Sequence, residues 1–260
     1  MQIATWNVNS IRIRLNQVLD WLEANPVDIL CLQETKVVDE QFPQAEFQSL
    51  GYHCHVFGQK SYNGVAILSR SPLEQVTTGF SPVLDQDCVG EFDEQKRLIA
   101  GIMAGIRIIS VYVPNGGGSP EKYAYKLHWL KLLQKYLSAV LAQPYPVCIC
   151  GDFNVAPDDR DIYFVPESTV VGTTDIERQL LEEIRNLGLL DVFRHFHSDS
   201  GLYSWWDYRE GGFRRNRGWR IDLIYACQRL LDQATSCQID LEPRRQPKPS
   251  DHTPVIAEFG

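Results

Sequence analysis

Four short polar signatures each stand at the end of an apolar run: Trp6-Asn7-Val8-Asn9, Gln33-Glu34-Thr35-Lys36, Gly151-Asp152-Phe153-Asn154 and Ser250-Asp251-His252. Acids and amides at strand ends are where an α/β sheet places its chemistry. Oxygen ligands converging from such distant segments suit a hard metal ion and a phosphate ester. With no Cys/His cluster beside them, they favour Mg²⁺, or Mn²⁺ in its place, over Zn²⁺. Any one signature alone is weak. Taken alone, the Gly-Asp-Phe-Asn stretch reads better as an Asx-rich turn after a strand. All four in one chain of 260 residues make a specific signal.

Residues i and i+2 of an extended segment point the same way, so Asp152 and Asn154 are expected to face one site while Phe153 packs behind. A carboxylate beside an amide can activate water and stabilise a developing oxyanion. Glu34 ends the apolar stretch Ile29-Leu30-Cys31-Leu32-Gln33, where a carboxylate is costly unless solvated, paired or bound to metal. Asn7 and Asn9 sit at the comparable end of the first strand as neutral ligands or supporting hydrogen bonds; a helix cap accounts equally well for Asn9.

Asp222, inside an apolar run, needs a partner. His252 is the natural one, because an Asp–His pair fixes the imidazole tautomer and favours its charged form. An imidazolium so held could grip a phosphate oxygen. Tyr112 precedes Val113-Pro114-Asn115-Gly116 and could contact a phosphate, although core packing is the default for a lone tyrosine. Arg214, Arg215, Arg217 and Arg220 crowd one loop, with Trp205 before it and Trp219 within it, and a second basic group is Arg244, Arg245 and Lys248. Aromatic residues interleaved with arginines suit nucleic acid. Trp206 is expected in the core, and Trp205 and Trp219 at a pocket.

The elements that must carry these residues alternate along the chain. Residues 3–8, 29–33, 65–68, 97–104, 106–113, 147–150, 220–226 and 255–259 read as strands. Leu15, Val18, Leu19 and Leu22 mark an amphipathic helix that Pro26 ends. Ser119-Pro120 opens a long helix with Tyr123, Leu127, Leu130, Leu137 and Leu141 as its buried stripe. Thr174-Asp175-Ile176-Glu177 is a capping box before a helix that Gly188 stops. One α/β domain over 1–260 fits, and tight turns between neighbouring strands argue against a purely parallel sheet.

The net charge of −8 does not advertise a nucleic-acid binder, but clustered ligand acids make that figure misleading because metal ions offset it. Seven cysteines without C-x-x-C spacing read as free thiols in a reducing cytoplasm. No stretch approaches the roughly 18 apolar residues of a membrane span, and the N-terminus lacks the basic and apolar regions of a secretory signal.

Together these motifs resemble the exonuclease III family of apurinic/apyrimidinic endonucleases, within the endonuclease/exonuclease/phosphatase superfamily. The likeness runs from Gln2 to Phe259. Val111-Tyr112-Val113-Pro114-Asn115-Gly116, Trp205-Trp206-Asp207-Tyr208-Arg209 and Trp219-Arg220-Ile221-Asp222 point more narrowly to its DNA-repair branch. The resemblance implies a four-layer sandwich, two facing mixed sheets with helices outside. It implies Mg²⁺-dependent hydrolysis of double-stranded DNA 5′ to abasic sites, with 3′-to-5′ exonuclease and 3′-phosphatase activity, by a monomer.

On this chain the resemblance makes Glu34 a metal ligand, assisted by Asn7 and Asp251, with Asp152 and Asn154 also offered. Asp152 orients or deprotonates water, Asn154 stabilises the pentacovalent transition state, His252 with Asp222 holds the phosphate, and Tyr112 contacts phosphate or leaving group. Trp205, Trp219 and Ile221 line a pocket for the flipped abasic sugar, and Arg209, Arg214, Arg215 and Arg217 belong to the DNA face. Gly118 stands where some relatives carry an intruding arginine, so that wedge is absent or supplied elsewhere, as by Arg209. Two other readings remain: a non-catalytic nucleic-acid-binding regulator on the same fold, disfavoured by the intact acids, and a phosphatase or phospholipase of the superfamily, disfavoured by the arginine-rich loop.

Overall fold

The apolar runs of the sequence become strands buried on both faces, which dictates layers on both sides of each sheet. The computed structural model describes residues 1–164 and 170–260. Among the described residues two six-stranded sheets form. The strands in chain order are β1 (Gln2–Asn7), β2 (Ile29–Gln33), β3 (His53–Phe57), β4 (Val65–Ser69), β5 (Glu74–Thr78), β6 (Leu98–Met103), β7 (Ile106–Tyr112), β8 (Val147–Asp152), β9 (Leu189–Asp191), β10 (Asp222–Cys227), β11 (Ala234–Ile239) and β12 (Val255–Phe259). The first sheet runs β11-β12-β1-β2-β4-β3 and the second β5-β6-β7-β8-β10-β9.

The two sheets share one pattern. Each has a central parallel pair, β1–β2 or β7–β8, and every other pairing is antiparallel. A parallel pair needs a crossover. Helix α1 (Ile11–Ala24) supplies it in the first sheet. Beyond the short helices α2 (Gln44–Ser49) and α3 (Gln86–Val89), helix α4 (Pro120–Leu141) supplies it in the second. Helix α5 (Asp175–Arg185) follows with its expected capping box, Thr174 to Glu177.

Alternation along each strand sorts side chains into three cores. Ile3, Ile29, Ile67, Ile108, Cys150 and Ile224 meet between the sheets. Ala4, Trp6, Leu30 and Leu68 pack outward on Val18, Trp21 and Leu22 of α1. Val111, Ile149, Leu223 and Tyr225 pack outward on Trp129, Leu133 and Tyr136 of α4 and Leu181 of α5. This is the expected four-layer sandwich, and each buried Leu or Ile contributes about 1.5–3 kcal/mol.

The structure departs from expectation in places. On α4, Leu130 and Leu137 are buried, but Tyr123, Leu127 and Leu141 lie only at the margin. The stripe centres on Lys126, Trp129, Leu133, Tyr136 and Val140. Arg220 is buried against Asp161 and Asp191, so it leaves the basic loop. Arg244 is also buried, its guanidinium over the Trp206, Tyr208 and Phe213 rings. All seven cysteines are free thiols.

Candidate active site

The parallel pairs of both sheets end at the same edge of the sandwich, and the polar signatures meet there. In the first sheet Val8 N donates to Gln33 O, in the second Val113 N to Asp152 O. Past these bonds each chain turns sharply. Glu34 (φ 52) and Asn154 (φ 50) are left-handed. For a glutamate that conformation is uncommon and costs on the order of 1–3 kcal/mol. It persists because Ser10 N holds Glu34 O at 2.8 Å while Thr35 N and Lys36 N are tied to Gly64 and Asn63. Gly151 is required by close approach: a Cβ there would lie 1.9 Å from the Val111 carbonyl oxygen.

Asp152 is the centre. Its Oδ1 accepts from Asn154 N at 2.9 Å, and its Oδ2 from Asn7 Nδ2 at 2.9 Å and Asn154 Nδ2 at 3.2 Å. The expected pairing of Asp152 with Asn154 holds, and Phe153 is in the core. It arises from a left-handed turn rather than from a continuing strand. Burial pushes the Asp152 carboxyl up to about 7; His252 and Asn7 oppose this, while Asp222 and Glu34 add to it.

Asp222 lies directly across the β8–β10 ladder from Asp152. Like charges so placed repel. His252 stands between them, its Nδ1 2.8 Å from Asp222 Oδ2 and its Nε2 3.7 Å from Asp152 Oδ2. Burial alone would push the imidazole down, but Asp222, Asp152 and Asp251 overcome it and raise it to about 10. The ring is therefore an imidazolium at neutral pH, with a proton to offer and no lone pair. Ser204 completes this group, donating to Asp222 Oδ2 at 2.7 Å and accepting from Ile221 N and Asp222 N.

Glu34 is paired with Lys36 at 2.7 Å and accepts from Asn7 Nδ2 at 2.8 Å. Although burial works upward on its carboxyl, Lys36 and Asn7 bring it below the ordinary value. One amide of Asn7 thus bridges Glu34 and Asp152, where a ligand role expected its oxygen. That oxygen accepts from Asn9 N. Tyr112 is buried beside Glu34 and Asp152, and burial, with these two acids, keeps its phenol protonated.

Asn9 is not a helix cap. Its side chain accepts from Lys36 Nζ at 2.6 Å and donates to Asp251 Oδ1 at 3.0 Å. Asp251 uses its other oxygen to accept from Trp205 Nε1 at 3.1 Å. Both its oxygens are therefore engaged outside the Glu34–Asp152–His252 group, whose ligand atoms lie within 4.8 Å of one another. Asp251 stays ionised: burial raises it, but His252, Trp205 and Asn9 bring it below its usual value.

The donor set fits a divalent cation. Four acids, Glu34, Asp152, Asp222 and Asp251, face one lysine and one imidazolium. Burial drives the Asp152 proton affinity up, and Asp222 and Glu34 add to it. Glu34 and Asp152 offer carboxylate oxygens that could hold such an ion; an imidazolium has no lone pair to offer.

Trp205 and Trp219 face each other across a β-bridge, with a second bridge from Trp205 to His252. They line a cavity of about 280 Å³ with Tyr163, Arg209 and Arg217. Ile221 does not line it; 4% exposed, it lies beneath the tryptophans with Ala156 and Ile162. Trp206 is core, as expected. Arg209 is paired with Asp207 but 84% exposed, a surface pair that can open at little cost. Arg217 pairs with Glu210 at 3.6 Å, and Arg214 and Arg215 are exposed.

Residues 4–252 match the model of the endonuclease/exonuclease/phosphatase family. The chain belongs to that family. It is similar to exodeoxyribonuclease III of Haemophilus influenzae, 34% identical over 273 residues with all of both chains covered. It is also similar to the solved structure of an AP endonuclease from Archaeoglobus fulgidus (42% identity, TM-score 0.92) and to that of a 3′-5′ exonuclease from Neisseria meningitidis (41% identity, TM-score 0.93). Each of those alignments covers 100% of this chain and 99% of the other. As a member of this family, the chain is a metal-dependent hydrolase. Sequence reasoning missed Ser204 and Lys126, which are visible only through their contacts; Asn115 stands in a quoted motif, but its role too shows only in its contact with Asn154.

Proposed function

We propose that the chain is a DNA-repair phosphodiesterase, one catalytic domain over 1–260, that hydrolyses the backbone 5′ to abasic sites and also trims 3′ ends. The observation that carries this is the Asp152–His252–Asp222 arrangement at the joined edge of the two sheets. It holds a carboxylate with a proton affinity near neutrality against an imidazolium.

In this reading Asp152 orients the attacking water and takes its proton as the water oxygen bonds to phosphorus. The P–O3′ bond breaks, leaving a 3′-hydroxyl. His252, fixed by Asp222, donates to a phosphate oxygen and offsets the charge that grows in the transition state. Asn154 and Asn7 hold Asp152 in place. The Asn154 side-chain amide, 3.2 Å from Asp152, also stands by to stabilise the charge that develops on the phosphate. Tyr112, neutral, donates to phosphate or leaving group. Glu34 and Asp152 would hold Mg²⁺ or Mn²⁺, which would supply charge stabilisation to the phosphoryl oxygens. Trp205 and Trp219 receive the extruded sugar, a flip made easier because no base need be unpaired. Arg209, Arg214, Arg215 and Arg217 contact the backbone.

The relatives support both activities. Their solved structures include an AP endonuclease, a 3′-5′ exonuclease and a 3′ phosphatase from Neisseria bound to a product DNA hairpin, at 40–42% identity to this chain. Among the described residues no helix is long and apolar enough to cross a membrane. Seven free thiols fit a reducing cytoplasm, and the enzyme acts there as a monomer.

The test compares three substrates: a duplex with one abasic analogue, an undamaged recessed duplex and a 3′-phosphorylated duplex, each with Mg²⁺ or EDTA. Metal-dependent cleavage 5′ to the lesion is expected, with slower removal of 3′ nucleotides and phosphate. Binding without turnover of any of the three, in folded protein across several metals, refutes the proposal.

A further inference from the structure

Behind the site lies an ion pair that the sequence did not announce. Lys126 Nζ of α4 meets Glu177 Oε1 of α5 at 2.5 Å, and both side chains are 0% exposed. Burying two charges is expensive, and an apolar pair of similar volume often serves stability as well or better. The other hydrogen bonds of the two groups point to the active-site loops.

Lys126 Nζ donates to the backbone carbonyls of Asn154 at 2.7 Å and Asn115 at 3.2 Å. Asn115 in turn donates from its side chain to Asn154 Oδ1 at 3.1 Å. Asn154 is left-handed, so its carbonyl turns inward and needs a donor. Glu177 Oε2 accepts from Gly172 N at 2.7 Å, Thr174 N at 3.1 Å and Thr174 Oγ1 at 2.8 Å. Gly172 packs so closely that an added Cβ would lie 2.9 Å from the Trp219 ring and 3.2 Å from the Asn154 carbonyl. One ion pair therefore fastens the turn that presents Asn154 and the segment that supports Trp219.

We infer that Lys126 is a positioning residue for hydrolysis: neutralised by Glu177, it clamps the Asn154 and Asn115 carbonyls and so keeps the Asn154 amides on Asp152. This rests on the reading of Asp152 and Asn154 as the catalytic core. It reaches the reaction through Asn154 and touches no substrate. Loss of Lys126 frees the Asn154 turn and misplaces the general base, while an acceptor kept at position 177 still holds Gly172 and Thr174 beneath Trp219, so kcat falls and KM changes little.

The experiment measures kcat, KM and thermal midpoint on a duplex with one abasic analogue at saturating Mg²⁺. The proteins are wild type, Lys126→Met, Lys126→Met/Glu177→Gln and Asn154→Ala. Lys126→Met leaves a buried carboxylate alone, so both midpoint and kcat fall. The double variant removes that charge while keeping an acceptor for Gly172 and Thr174. Its midpoint returns toward wild type, whereas its kcat stays about 10–100-fold low with KM changed less than about threefold. Recovery of kcat together with the midpoint reduces the pair to a stability element and overturns the inference. Normal kcat in Lys126→Met beside an impaired Asn154→Ala overturns it too. Normal kcat in Asn154→Ala overturns the underlying site reading, and the inference with it.

Discussion

The two sheets have the same topology and end at the same edge, yet they present opposite electrostatics there. At the end of β2, Glu34 is partly exposed beside Lys36, and its carboxyl is held below its usual range. At the end of β8, Asp152 is buried, faces Asp222 across the ladder and is raised to about 7. One scaffold thus yields a permanently ionised ligand on one side and a proton acceptor near neutrality on the other. The difference comes from surroundings, not backbone: at Glu34 an adjacent lysine and Asn7 outweigh burial, whereas at Asp152 burial wins and the opposing Asp222 adds to it.

Asp152→Asn should break the acceptor side outright. Turnover on an abasic duplex falls about 10²–10⁴-fold, DNA affinity in a gel-shift assay persists, and added Mg²⁺ does not restore the rate. Glu34→Gln should break the other side differently. Half-maximal Mg²⁺ rises about 10–100-fold, and high metal recovers much of the rate in a titration. If both variants respond alike to metal, the division between the sheets is wrong.

Trp219→Ala tests the pocket lined by Trp205 and Trp219. It should weaken binding to an abasic duplex by about 1–3 kcal/mol, read by fluorescence anisotropy, with a smaller effect on undamaged duplex. Arg214→Ala should weaken both equally and reduce the slope of log affinity against log salt by about 0.9.

A separate readout is stability against pH in EDTA. His252 is raised from 6.5 to about 10, so the folded state holds its proton more tightly than the unfolded one. Its stabilisation is present in full below 6.5 and lost as pH rises through 10. Asp152, raised from 3.8 to about 7, has lost its share by the time pH exceeds 7. The denaturant midpoint of wild type should therefore fall relative to that of His252→Asn between pH 7 and 10. Parallel curves would show that His252 is neutral when folded.

The central strands were legible because they are buried on both faces and read as unbroken apolar runs. The outer ones were not. β3, β5 and β11 are largely exposed or half-buried, and their sequences His53-Cys54-His55-Val56-Phe57 and Glu74-Gln75-Val76-Thr77-Thr78 carry no apolar run. Edge strands are kept polar because an apolar edge invites another chain to pair with it. In the site, the acids, amides and histidine that stand in motifs were found. Asn7 was open between a neutral ligand and supporting hydrogen bonds, and its side-chain amide donates to both Glu34 and Asp152, a choice of face that only its neighbours decide. Lys126 drew no reading from the sequence, because a sequence shows charge but not the carbonyls that turn inward to meet it.

The β1–β12 pairing has a consequence for how the enzyme comes into being. β1 lies between β2 and β12, so the first strand made must wait for the last to fill its open side. His252, which answers both Asp152 and Asp222, sits just before β12. A chain emerging from the ribosome can build most of the second sheet and still lack its imidazolium. Catalytic competence therefore arrives late in synthesis, and a product truncated before residue 252 has two facing acids with nothing between them.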